Sequence, residues 1–342
     1  MAGPRDGGLA SAYDLVMFDL DGVVYVDGHV VEHAAESIAA TRAAGAHIAF
    51  ITNNAARTPE QVVTHLRELG VEATPGDVVT SSQAAARLLR KAYGRGAPVA
   101  VLGADGLVAA VREAGLEPVE VGDPRALAVV SGYAPEIRWR VIMQAATLIR
   151  NGLPWVAANA DLTLPTDSGL APGHGLLVRM ISDFAEVKPQ VAGKPERPLL
   201  DETRRRVAGE RPLMVGDRLD TDIAGAHRAG VDSLLVMTGV SGLADLVQAD
   251  ADERPTWIGH DLTALQRAGC AAEEVDGAWT AGAWTARVDH GRLSMTGAGS
   301  TPDEADQWWV AAAAAAWAHL DRSGAAVEVT GVATPGRAAP SG

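Results

Sequence analysis

Three stretches of this chain share one pattern: a short apolar run without alternation that closes on acids, amides or a hydroxyl. They are "LVMFDLDG" at 15–22, "AHIAFITNN" at 46–54 and "PLMVGDRLD" at 212–220. Such runs suit strands buried on both faces. Helical patterns separate them. "HAAESIAATRAAG" reads as a helix closing at Gly45, and "TPEQVVTHLRELG" opens with Thr58 as N-cap, Pro59 at the first helical position and Gln61 completing a capping box. "VVTSS" is a further short strand. Strand–helix–strand at this spacing predicts an α/β fold with a parallel, doubly wound, Rossmann-like sheet. In such sheets ligands bind outside the carboxyl ends of the strands.

The grammar repeats between residues 83 and 188. "APVAVLG", a helix near 105–115, "ALAVVSG", a helix over 135–151 and "PWVAANA" follow one another, then a turn-rich loop, "NADLTLPTDSGLAPGHG". Alternation resumes with "PLLDETRRRVAG", "PLMVGD", "DTDIAGAHRAG" and "SLLVMTG". The expected division is a discontinuous core (1–82 and 189–265) interrupted by an α/β cap (83–188). A small α+β extension (266–330) follows, and 331–342 reads as disordered. In the extension, "EEVDGAWTAGAWTARVDHGRLSMTG" reads as a hairpin, followed by a helix capped by Thr301 and ended by Gly324. Trp308, Trp309 and Trp317 on that helix are expected to pack against the hairpin.

The net charge of −14 argues against nucleic-acid and anionic membrane partners. It also means that an anionic substrate must find positive charge supplied locally. A single cysteine, Cys270, suits a reducing cytoplasm. The opening "MAGPRDGGLASAYD" lacks an apolar signal core, and no apolar run approaches the ~20 residues that span a bilayer.

Asp19 and Asp21 therefore raise a question, because carboxylates are poor residues for a buried strand end. In an extended strand residues i and i+2 share a side, and Gly22 lets the chain turn away. "TNN", Thr52 to Asn54, offers a hydroxyl, amides and backbone N–H groups to a phosphoryl group without adding charge. Lys194, one of three lysines, stands in "AGKPERP" where a helix is expected to open, and an ammonium at a helix N-terminus is an anion site. Asp217, Asp220 and Asp222 close another strand and call for a cation or much water. Turn residues, N-caps and a solvated lysine would account for each feature singly. The set together, with hard oxygen ligands, suits Mg2+ and a phosphoryl group.

With "DLDG", "TNN", "GKP" and "GDRLDTD" in this order, the chain resembles the haloacid dehalogenase (HAD) superfamily of phosphotransferases. The α/β insertion after the second motif resembles the cap of the branch containing p-nitrophenyl phosphatases, phosphoglycolate phosphatases and glycerol-3-phosphate phosphatases. The resemblance covers about residues 14–262. It implies a Mg2+-dependent phosphatase with Asp19 as nucleophile and Asp21 as general acid and base. It further implies Mg2+ held by Asp19, the Asp21 carbonyl and Asp217, with Asp222 supporting them. Thr52, Asn53, Asn54 and Lys194 would bind phosphate, leaving Asp220 a solvated neighbour. Mycobacterial-type glycerol-3-phosphate phosphatases carry a similar extension, which makes glycerol 3-phosphate the expected substrate. 2-Phosphoglycolate, p-nitrophenyl phosphate, nucleotides and other sugar phosphates are the alternatives.

Leu164 stands where pyridoxal-phosphate-specific relatives tend to have a histidine. His174 in "PGHG" reads either as a substrate contact or, more simply, as an exposed loop residue. Phosphomutases and phosphonatases place their caps after the first motif, where this chain has about thirty residues. A non-catalytic phospho-metabolite sensor is the reading from another class, although both aspartates of the first motif are kept. The extension lacks a glycine-rich pyrophosphate loop. It reads as an acyltransferase-like remnant or as a dimerisation element, which would make the protein a homodimer.

Overall fold

The strand carrying Asp19, Leu15–Asp19, is buried throughout, as its unbroken apolar run requires. In the computed structural model, which describes residues 8–26, 28–166, 169–207 and 209–336, the chain forms two compact units. One comprises Met1–Ile48, Leu69–Glu72 and Gly209–Gly342; the other comprises Ala49–Glu68 and Ala73–Ala208. The architecture is α/β with parallel sheets. The units cut the chain elsewhere than the division expected from sequence: the Lys194 segment falls with the middle of the chain, and the C-terminal extension falls with the aspartate strands.

In the first unit Leu15–Asp19 pairs in parallel with Pro212–Gly216, with Leu15 opposite Pro212 and Phe18 opposite Val215. Asp232–Val236 and then Trp257–Gly259 add to the same parallel ladder. The helix Ala34–Ala43 follows the first strand, and the chain turns at Gly45 with φ +96°.

The extension is more than the expected hairpin. It is an antiparallel meander of four strands, Glu273–Val275, Ala278–Ala281, Trp284–Asp289 and Arg292–Gly297, covered by the helix Pro302–Ser323. Thr301 and Glu304 form the capping box of that helix, and Gly324 ends it at φ +71°. Besides the turn at Gly291, tight turns at Gly277 and Gly282 split what reads as one hairpin into additional strands. Trp308 and Trp309 are buried, with ring centroids 4.8 Å apart in an edge-to-face arrangement. Their core is continuous with Leu235 and Ile258 of the parallel ladder and with Met237 and Leu246 beside it, so this segment shares one hydrophobic cluster with the unit. Buried Asp306 accepts the His260 N–H at 2.6 Å and pairs with Arg267. Burial pushes its carboxyl up, against the pull of those two partners. The last six residues of the segment expected to be disordered, 337–342, lie outside the described residues.

The second unit contains a five-stranded parallel sheet in the order Gln190–Val191, Trp155–Ala157, Ala128–Ser131, Pro98–Leu102, Glu117–Val119. His47–Thr52 runs into this unit and pairs in parallel with Val78–Thr80, Thr52 opposite Thr80. Thr58 and Gln61 make the predicted capping box at the start of Pro59–Glu68.

Three local expectations are corrected. The helix expected over 135–151 is Trp139–Arg150, and Ala134 has no side-chain oxygen with which to cap a start at Pro135. The stretch 159–175 is not a loop throughout: Thr163–Thr166 and Gly169–Pro172 pair as an antiparallel hairpin, and the helix His174–Ala185 follows. Asp167 and Ser168 of that stretch lie outside the described residues. Lys194 does not open a helix; the next one is Pro198–Val207. Among the described residues no helix is long and apolar enough to cross a membrane.

Candidate active site

The first unit gathers carboxylates. Asp19 closes its strand and is 9% exposed, whereas Asp217 and Asp222 are fully buried. One carboxylate oxygen from each lies within 4.8 Å of the others. Asp217 stands just beyond the strand Pro212–Gly216, and a wide helical turn, Leu219–Ile223, carries Asp222 back toward it. The Asp222 carboxylate accepts the backbone N–H of Asp217 at 3.2 Å and of Arg218 at 3.1 Å. Asp217 in turn accepts the Val240 N–H at 2.6 Å, a charge-assisted bond that fixes its plane.

Glycine makes this density of oxygen feasible. Gly22 has φ +87°, and a Cβ there would overlap the Asp217 carboxylate; a Cβ on Gly239 would do the same. Thr238 donates its hydroxyl to the Gly22 carbonyl at 2.7 Å, tying the two approaching loops together. Asp21 follows the strand, with its residue exposed and its backbone bridged to Tyr25. Asp220 is exposed and paired with Arg218 at 2.7 Å, outside the cluster, as expected. Three buried or nearly buried acids within reach of one point repel one another strongly unless a cation sits among them. The donor set is all oxygen, as a hard divalent ion requires.

The second unit gathers neutral donors and one ammonium. Thr52 ends its strand buried, and its hydroxyl oxygen accepts the Asn54 N–H at 3.0 Å. The Asn54 side chain accepts the Ala56 N–H at 2.9 Å. Asn53 binds the Lys194 backbone on both sides: its Oδ1 accepts the Lys194 N–H at 2.8 Å, and its Nδ2 donates to the Lys194 carbonyl at 3.0 Å. The same Nδ2 donates to Asp161 at 3.0 Å. An amide nitrogen has only two hydrogens, so the Asn53 side chain is committed to the protein. Lys194, 2% exposed, thus has its main chain clamped by a residue 141 positions earlier. The Asn53 carbonyl accepts the Ser81 hydroxyl at 2.7 Å and Asn159 Nδ2 at 2.6 Å.

Ser81, Asn159, Asp161 and the segment Thr238 to Val240 are the supporting residues that sequence reasoning missed. Asn159 and Asp161 open the turn-rich cap stretch, and Thr238 and Gly239 close "SLLVMTG"; strand-end polarity was the available signal. His174 is not the exposed loop residue expected as its simpler reading. It is 3% exposed at the start of its helix, with Nε2 3.1 Å from the Ser131 hydroxyl, which accepts the Trp155 indole N–H at 2.8 Å. Burial lowers its pKa to about 4.

Comparison with known proteins is consistent with this chemistry. A haloacid dehalogenase-like hydrolase family model matches residues 16–117, and a HAD-hydrolase-like model matches 191–265. The chain is 43% identical over 259 residues to D-glycerol 3-phosphate phosphatase of Mycobacterium tuberculosis, covering 76% of this chain and 72% of the relative. It is 35% identical over 253 residues to acid sugar phosphatase of Staphylococcus aureus, covering 73% and 95%. Among solved structures, a glycerol phosphate phosphatase from Mycobacterium tuberculosis in complex with magnesium superposes with a TM-score of 0.82 at 38% identity, over 91% of this chain and 92% of that one. A thermostable p-nitrophenyl phosphatase from Geobacillus stearothermophilus gives 0.66 at 34% identity, over 73% and 96%.

Proposed function

The chain belongs to the haloacid dehalogenase-like hydrolases and is a phosphatase; from that premise we propose that it hydrolyses a small phosphate monoester, glycerol 3-phosphate before others, through an aspartyl-phosphate. The observation that carries this is the convergence of the Asp19, Asp217 and Asp222 carboxylates within 4.8 Å. The Asp19 carboxylate attacks phosphorus while the bond from phosphorus to the ester oxygen breaks. Asp21 gives its proton to the leaving alkoxide, then takes one from the water that opens the acyl phosphate. Its exposed position suits that exchange. The Thr52 hydroxyl hydrogen and the Lys194 ammonium bind the non-bridging oxygens, together with the backbone N–H of Asn53, while the Asn54 N–H orients the Thr52 hydroxyl. Asn53 acts by holding Lys194. Asp19, Asp217 and the Asp21 carbonyl would hold magnesium, which would supply charge neutralisation at the phosphoryl group. Asp222 and Val240 fix the loop and the carboxylate plane at Asp217.

The functional division into core (1–82 and 189–265), cap (83–188) and extension (266–330), working in the reducing cytoplasm, belongs to the same proposal. A screen of small phosphate monoesters with Mg2+, ranked by kcat/KM, tests it. Glycerol 3-phosphate should lead. Sugar phosphates are the second reading, favoured by the 35% identity to an acid sugar phosphatase. Absence of turnover on every ester, with the metal bound, would leave a phospho-metabolite sensor.

A further inference from the structure

The second unit contains a cavity of about 440 Å3 bordered by the helices Ser81–Tyr93, Asp105–Glu113 and Pro198–Val207. None of its lining residues belongs to the candidate active site. Four arginines line it, Arg87, Arg90, Arg205 and Arg206, against two acids, Glu113 and Glu202. The lining therefore carries a formal charge of +4 − 2 = +2 in a chain whose net charge is −14.

The acids serve the arginines. Glu202, buried, receives Arg205 through both oxygens at 2.8 and 2.6 Å and Arg206 Nε at 2.7 Å. Arg206 also donates to Glu113 at 2.9 Å, and Gln83 steadies Glu113 from its other oxygen at 3.0 Å. Two guanidiniums are thereby held in fixed planes before any ligand arrives. Arg87 and Arg90 lie one turn apart on the same helix face. Neither has an ion-pair partner among the described residues.

Helix electrostatics accounts for part of this. Arg90, Arg205 and Arg206 lie in the last turns of their helices, where cations are favoured. That covers neither Arg87, which lies earlier in its helix, nor the convergence of four arginines on one open cavity. Forked guanidiniums match phosphoryl oxygens in geometry and charge. The volume falls within the ~300–1,000 Å3 range of small-molecule sites, larger than an isolated ion needs.

We propose that this arginine-lined cavity is a second anion site, which takes a small molecule bearing a phosphoryl dianion and is separate from catalysis. Two sources share that chemistry, free phosphate and a phosphorylated metabolite. The test is calorimetric titration of the full-length magnesium-loaded enzyme with inorganic phosphate and with phenylphosphonate, whose carbon–phosphorus bond resists hydrolysis. Wild type should show two sites for at least one probe. In Arg87→Ala/Arg90→Ala one site should weaken at least tenfold, while kcat and KM on p-nitrophenyl phosphate, measured without probe, stay within twofold. Arg87→Lys/Arg90→Lys should bind between the two, which separates loss of the guanidinium fork from loss of charge. Preference for phosphonate assigns the site to an organic phosphate; preference for phosphate assigns it to the free ion. A single site in the wild type, two unchanged sites in the alanine variant, or a parallel collapse of kcat/KM overturns the proposal.

Discussion

The carboxylate cluster of one unit and the threonine–asparagine–lysine cluster of the other solve opposite problems. In the first, like charges are packed at the end of a buried strand, and glycines and backbone N–H groups make room for them. In the second, neutral groups bond to one another and clamp the main chain of a buried lysine. The first leaves repelling charges for a cation to neutralise; the second is satisfied by the protein itself. Reactivity should therefore be concentrated in the first cluster and positioning in the second, and mutations should divide accordingly.

The largest expected effect is at Asp19. Asp19→Asn should lower kcat by at least ~10³-fold, because an amide cannot form the acyl phosphate. Its thermal midpoint should hold or rise, since one of the mutually repelling acids is gone. Chelation should abolish wild-type activity reversibly, with added Mg2+ restoring it. Hydrolysis by the asparagine variant near the wild-type rate would remove the nucleophile from the argument.

Gly22→Ala comes next. The added Cβ would meet the Asp217 carboxylate, and misplacement of about 1 Å costs on the order of 10²-fold in rate. Gly28→Ala is the control. Gly28 has a similar φ of +79° with nothing within 4 Å of a Cβ, so it carries the backbone strain without the contact. Equal losses of rate in the two variants would show that strain, rather than crowding of Asp217, is responsible.

Asn53→Ala probes the second cluster and should cost about 10- to 100-fold in kcat/KM. Each polar partner left unpaired costs about 1–3 kcal/mol of stability. Because Asn53 acts through Lys194, the double variant Asn53→Ala/Lys194→Ala should lose less than the sum of the single losses in log kcat/KM. Full additivity would make Asn53 an independent phosphate ligand, as its residue type and strand-end position suggest.

This contrast also accounts for what the sequence disclosed. The alternation of unbroken apolar runs with helices made the parallel α/β fold readable. Acids at strand ends announced Asp19, Asp217 and Asp222, because carboxylates crowded beside a buried strand persist only with a counter-charge or ample water. The role of Asn53 was not readable. Whether an amide faces a ligand or a main chain 141 residues away depends on tertiary placement, and residue type does not reveal it. The hairpin within 159–175 was hidden because its composition of glycine, proline, serine and aspartate is that of a loop. The helix that follows was hidden because His174 and Gly175 are weak helix formers at its start.

His174 supplies the smallest effect, one on stability rather than on turnover. Its ring is buried against Ser131, and burial pushes its pKa down from 6.5 to about 4. The Ser131 oxygen already accepts the Trp155 indole N–H, so the serine hydrogen is available to Nε2 of a neutral ring. Between pH 6.5 and about 4 the unfolded chain takes up a proton at this histidine and the folded chain does not. Stability therefore falls as pH falls through that window and is indifferent to this group above it; the full loss is about 3 kcal/mol. His174→Asn should unfold at lower denaturant at pH 7.5, yet lose less further stability than wild type between pH 6.5 and 4.5. Both chains keep the same acids, so the difference between their slopes isolates the imidazole. Parallel slopes would mean that the buried ring is protonated in place and that its surroundings tolerate the charge.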